Sequence, residues 1–223
     1  MFFEKYWKIW LVVLLSAING GAHAATNGAE QLLEASAKGD AQMVGRLLAQ
    51  GVPVDVRDAQ GNTPLLLATD RNQLEVAKAL INAGADVNAK NRIHDSAYLL
   101  AGAQGRLDIL SLTLSHGADL KSTNRYGGTA LIPACERGHV EVVKTLLQAG
   151  VDPNHINNLG WTGLLEAILL SNGGPQHQAI VALLIAGGAD VNLADAKGVS
   201  PLQHARERGQ AVIANMLVAA NAR

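Results

Sequence analysis

Aromatic side chains are scarce in this chain of 223 residues: Phe, Trp and Tyr together make up 4% of it. A single aromatic-centred core is therefore not what stabilises it. The apolar content is nonetheless 48%, rich in Ala, Leu and Val, which excludes disorder and suits small, repetitive helix packing. Cysteine is nearly absent. Cys135 stands alone, so no intrachain disulfide can form and packing must hold the fold together. Charged residues reach only 17%, with a net charge of −1 and no Lys/Arg block, so electrostatics offers no case for nucleic acid or anionic lipid. Catalytic and ligand motifs are missing as well. There is no Cys-x-x-Cys, no His-Glu-x-x-His, no phosphate loop and no Gly-x-Ser-x-Gly. No metal, no cofactor and no enzymatic activity are expected.

What is present begins with a distinct leader. Lys5 and Lys8 precede the apolar run 9–18, Asn19-Gly20-Gly21 breaks it, and Ala22-His23-Ala24 offers the small-x-small pattern of a cleavage site. The run is shorter than the roughly 20 residues that span a bilayer. Residues 1–24 therefore read as a cleavable signal peptide. It directs a periplasmic protein with no stable membrane insertion after cleavage; a leader retained as a membrane anchor is the alternative.

The remainder is periodic. Gly51, Gly84, Gly117 and Gly150 recur every 33 residues, and Gly188 follows after 38; Thr63, Ser96, Thr129, Thr162 and Ser200 keep the same spacing, including the same slip of five. Each period reads as helix, turn, helix. Thr63-Pro64-Leu65 and Ser200-Pro201-Leu202 start helices, with the hydroxyl residue as N-cap and proline at the first helical position. A turn such as Gly138-His139 follows. The apolar residues of 140–147 then fall at helical spacing. Gly84-Ala85-Asp86-Val87-Asn88 ends the second helix, with glycine free to take the left-handed conformation, and a β-hairpin leads into the next unit.

Period, helix start, Gly-His turn and Gly-Ala-Asp-Val-Asn ending together resemble the ankyrin repeat. The runs Arg125-Tyr126-Gly127-Gly128-Thr129, 133–139 and Gly160–Ile168 also resemble small bacterial exported ankyrin proteins. The fold expected is an all-α solenoid of stacked helix-turn-helix units with short β-hairpin loops. It occupies residues 25–223, in units at about 27–58, 59–91, 92–124, 125–157, 158–195 and 196–223, the outer two acting as caps.

The resemblance implies a concave surface of hairpin tips and first helices that binds another protein. Along it, Arg92, Ile93, Arg125, Tyr126, Leu159 and Trp161 form the candidate partner-binding stripe, since Tyr, Trp and Arg dominate interface energetics. A second, polar set comprises His94, Glu136, Glu166 and His204. Glu166 and His204 hold the same register in adjacent units, where Leu67 and Leu100 stand elsewhere, and are expected to be neighbours. Such a pair either fixes register or serves a small-molecule or catalytic site. His94 replaces the hairpin glycine of the other units, a costly but tolerable left-handed position. The extra five residues lie around 171–178, where Gly173-Gly174-Pro175 is expected to form a protruding loop. Cys135 reads as core packing. A monomer that binds a protein partner, as helper or inhibitor of another exported protein, is the leading expectation; the Glu166/His204 site and a membrane-anchored tether are the alternatives.

Overall fold

The computed structural model describes residues 27–223, so the leader reading lies outside the described residues. Among the described residues twelve helices follow one another, two to a unit. They are α1 (27–38) and α2 (Ala41–Ala49); α3 (Pro64–Asp70) and α4 (Leu74–Asn82); α5 (Ala97–Gln104) and α6 (Leu107–Ser115). Then come α7 (Leu131–Glu136) and α8 (Val140–Gln148); α9 (Gly163–Leu169) and α10 (Pro175–Ala186); α11 (Pro201–Glu207) and α12 (Ala211–Ala219). From α3 on, first helices stack on first helices, α3–α5–α7–α9–α11. Second helices stack likewise, α2–α4–α6–α8–α10–α12. Among the described residues no segment is a strand.

Local chemistry starts each first helix. The hydroxyls of Thr63, Ser96, Thr162 and Ser200 accept from the backbone N–H three residues on, at 3.2–3.3 Å. Each such cap is worth about 1 kcal/mol. Pro64 and Pro201 sit at the first turn as expected. Unit four departs. Pro133 has no N–H for the Thr129 carbonyl, which accepts from Ile132 instead at 3.3 Å, and the buried Thr129 hydroxyl is left without a partner. As a result α7 starts late and is the shortest helix of the stack at six residues.

The second helices bury one stripe each. In α8 that stripe is Val142, Val143 and Leu146, and in α4 it is Val76, Ala77, Leu80 and Ile81. Burying a side chain of this size contributes about 1.5–3 kcal/mol. The second helix ends at a left-handed glycine in the first five units, with Gly84 at φ +88° and Gly150 at φ +92° as the periodic glycines predict, and at a left-handed Asn221 in the last. First helices approach closely where side chains are small. Gly102 lies against Ala130, and Gly163 against the buried Cys135, whose thiol is pushed well above its usual range chiefly by burial.

Two hydrogen-bond ladders join the units. Asn88 donates to the Gly117 carbonyl at 2.9 Å and accepts from Asp119 N–H at 2.8 Å. Asn154 repeats both bonds one unit pair later, to Gly188 and from Asp190. Lys121 occupies the equivalent place in unit three and makes neither. In the second ladder the residue after the helix–helix turn reaches back to the end of the preceding first helix. Arg106 reaches the Asp70 carbonyl, His177 the Glu136 carbonyl at 2.9 Å, and Gln210 the Ile168 and Ser171 carbonyls at 2.9 and 3.2 Å.

The insertion is not the free loop expected from Gly-Gly-Pro. Pro175 sits in the first turn of α10, where a missing N–H costs nothing, and α10 has 12 residues against nine in α8. Most of the extra chain is therefore helix. The short segment before it is tied down by Gln210 from the next unit, and Gly173 is so close to Gln210 that a Cβ would lie 2.7 Å from it.

Candidate partner-binding surface

Between units the chain forms a finger, and one side chain builds it. The Oδ1 of Asp58, Asn91, Asn124, Asn157 and Asp195 accepts from the backbone N–H groups two and four residues on, at 2.8–3.1 Å in every case. One backbone bond closes the base of each finger, such as Asn91 N–H to Asp95 O at 2.9 Å, and a turn bond spans its tip, such as His94 N–H to Asn91 O at 3.1 Å. One closing bond is too few for a ladder, so the expected hairpins are tight turns and not strands. Sequence reasoning passed over these five residues, although they share the 33, 33, 33, 38 spacing of the other markers. The fourth finger residue is left-handed throughout, and His94 takes this conformation at φ +64° where glycine stands in the other units.

The tip residue, two after the Asx, runs Gln60, Ile93, Tyr126, Leu159, Lys197. Ile93, Tyr126 and Leu159 are 50%, 57% and 57% exposed, so three of the expected stripe residues do form one apolar row with polar ends. Beside them run Arg92 and Arg125, both exposed. The Arg125 guanidinium lies 4.7 Å from the centre of the Tyr126 ring and 3.3 Å from Asp95. Half-burial lifts the Asp95 carboxyl above the usual range against the pull of Arg125. Backbone bonds join the first finger to the second, Arg92 N–H to Gln60 O at 3.0 Å, and the third to the fourth, Asn158 N–H to Tyr126 O at 2.9 Å. Trp161 stands elsewhere. It is half-buried, and as the fifth finger residue, whose backbone N–H donates to Asn157 Oδ1, it stands at the finger base and not at the tip.

The polar set does not assemble as expected. Glu166 accepts from Asn157 Nδ2 at 2.8 Å, and His204 Nε2 lies 2.9 Å from Asp195 Oδ2. No hydrogen bond or ion pair joins Glu166 to His204 among the described residues. Same register in neighbouring helices gave both side chains the same direction, toward their own fingers nine residues upstream, and not toward each other. Glu166 is buried, which with the nearby Glu136 carboxylate pushes its pKa up to about 7, while the Asn157 amide opposes the rise. Asp195 is held below the usual carboxylate range by the backbone N–H groups it accepts from, Val199 above all, and by His204. Glu136 is half-buried, and His94 is exposed at its finger.

Paired helices in register, closed by Asx-built fingers, define a helical repeat solenoid. The family model for ankyrin repeats (three copies) matches residues 8–91 and 94–195. An ankyrin repeat domain of Acinetobacter baumannii AYE is similar over 86% of this chain and 98% of its own, at 59% identity and a TM-score of 0.84. The ankyrin repeat protein EF0377 aligns over 84% of the chain and 96% of its own at 45% identity, with a TM-score of 0.81. The ankyrin repeat domain of Bcl-3, a member of the IκB family, aligns over 86% of both at 30% and 0.78. Among curated proteins, the ankyrin repeat protein YahD of Escherichia coli K12 is 53% identical over 58 residues, which is 26% of this chain and 29% of that protein. This chain belongs to the ankyrin-repeat family, whose members are in general protein-interaction modules and typically scaffolds without catalysis.

Proposed function

We propose that the chain is an exported, periplasmic binding module. It engages another exported protein through its finger tips as that protein's helper or inhibitor, and acts as a monomer. The observation that carries the binding reading is the row of Ile93, Tyr126 and Leu159, each about half exposed, with the first two fingers of the row linked by the Arg125–Asp95 ion pair and the last two by a backbone bond. Isolated exposed apolar residues mean little, whereas an aligned row between polar ends marks an interaction surface. Export rests on the basic, apolar and small-x-small order of residues 1–24. The separate engagement of Glu166 and His204 weighs against a joint catalytic or small-molecule site.

The test is crosslinking and pull-down from periplasmic extract, with Tyr126→Ala/Trp161→Ala alongside. One abundant partner, captured by the parent and lost in the double variant, supports the reading; equal capture by both refutes the role of the surface. Fractionation and N-terminal sequencing of the native protein test export: a soluble periplasmic chain starting at Ala25 is expected, and a membrane-bound chain starting at Met1 supports the tether instead.

A further inference from the structure

The tip row has a spacing and a charge that together specify what fits it. Packed helices lie about 8–10 Å apart. The fingers follow that pitch, because each grows from its own stacked unit, with backbone bonds joining the first to the second and the third to the fourth and the Arg125–Asp95 ion pair joining the second to the third. Three apolar tips therefore recur every ~10 Å or slightly less. An α-helix rises about 10.5 Å over seven residues and returns to the same face. An extended strand places same-face residues about 6.6 or 13 Å apart, which misses the row.

The charge is one-sided where the row begins. Arg92 and Arg125 flank Ile93 and Tyr126. Arg92 has no ion pair among the described residues, and Arg125 has only Asp95. The other finger carboxylates, Asp58 and Asp195, are consumed by their own turns. Lys197 adds a third exposed cation at the far end of the row.

Resting on the protein-binding reading above, we infer that the partner presents an amphipathic helix with apolar residues at heptad spacing and acidic residues beside the first two of them. The apolar residues seat on Ile93, Tyr126 and Leu159, and the carboxylates face Arg92 and Arg125. A nucleic acid, the other anionic occupant, needs a longer cationic track than these side chains provide in a chain of net charge −1.

The experiment uses three fluorescein-labelled peptides of equal length and helicity. One has Leu at heptad spacing with Glu flanks, one the same Leu with Lys flanks, and one Glu flanks with Leu moved to five-residue spacing. Anisotropy titrations against the protein should show the first binding at least tenfold more tightly than either control, and weakening as salt rises. Arg92→Glu/Arg125→Glu, with folding checked by circular dichroism, should reverse the Glu-over-Lys preference. No preference, a preference for Lys flanks, or equal binding of the five-residue spacing overturns the inference. So do tight binding of single-stranded DNA or anionic vesicles in place of peptide, and self-association that covers the row in sedimentation velocity. The two readings fail separately: a partner lost with Tyr126→Ala/Trp161→Ala but unaffected by Arg92→Glu/Arg125→Glu keeps the binding module and removes only the acidic helix.

Discussion

Asn157 and Glu166 are joined by a hydrogen bond of 2.8 Å that ties a buried carboxyl to the finger bearing Leu159. The same Asn157 accepts from the Leu159 and Trp161 N–H groups, so the ionisation of Glu166 and the geometry of that finger share one side chain. Glu166 titrates near 7 in the folded protein against an ordinary value near 4.5. The folded state thus binds the proton more tightly than the unfolded chain. This contribution to stability is complete below about pH 4.5 and is lost as pH rises to about 7. At about 1.4 kcal/mol per unit, reduced for partial contact with solvent, the change is about 1–3 kcal/mol. Glu166→Gln keeps an acceptor for Asn157 without the charge. It should match the parent in urea unfolding at pH 4.5 and exceed it by that amount at pH 8; equal pH dependence in the two proteins refutes the account.

Lys121 breaks the ladder that Asn88 and Asn154 maintain. Lys121→Asn should install bonds to the Gly150 carbonyl and Asp152 N–H. The expected gain is about 0.5–1.5 kcal/mol, read as a higher urea midpoint at unchanged m-value. An unchanged midpoint would show that the break costs nothing.

His94 holds a left-handed backbone, and among the described residues its imidazole makes no hydrogen bond or ion pair to offset it, only its backbone N–H donating to the Asn91 carbonyl at 3.1 Å. His94→Gly should raise the thermal midpoint, with a gain of about 1 kcal/mol after the entropy of an added glycine is subtracted. A loss of stability would instead assign the imidazole a packing role.

Cys135 is fully buried, and burial followed by the Glu166 carboxylate raises its thiol well above the usual range. Its reaction with Ellman's reagent should therefore wait for opening of the stack and run at least about a hundredfold slower in buffer than in denaturing urea. Rapid labelling of the native protein would contradict the burial.

Much of this architecture is legible in the residues, for a reason that differs by element. Thr63, Ser96, Thr162 and Ser200 act within three residues of themselves, and Gly84 or Gly150 within one turn, so spacing and residue type suffice to place them. The finger tips are legible in the same way, since a repeat carries any position to the same place one unit on. Trp161 is where that reasoning stops: its place in the finger was readable, but its half-burial depends on what packs around it. Five extra residues could be counted in the sequence, yet their division between α10 and the segment held by Gln210 depended on a side chain some 40 residues away.

By itself, then, the sequence determined the period, the hydroxyl-capped helix starts, the glycine-marked helix ends and the place of the tips, because these rest on interactions of a few residues repeated in register. Only the tertiary structure decided that Glu166 and His204 turn to Asn157 and Asp195, and that burial and Glu136 raise Glu166. Side-chain direction and local dielectric come from groups that only packing brings together: Asn157 and Asp195, each nine residues upstream and outside the helix they serve, and Glu136 on the neighbouring unit.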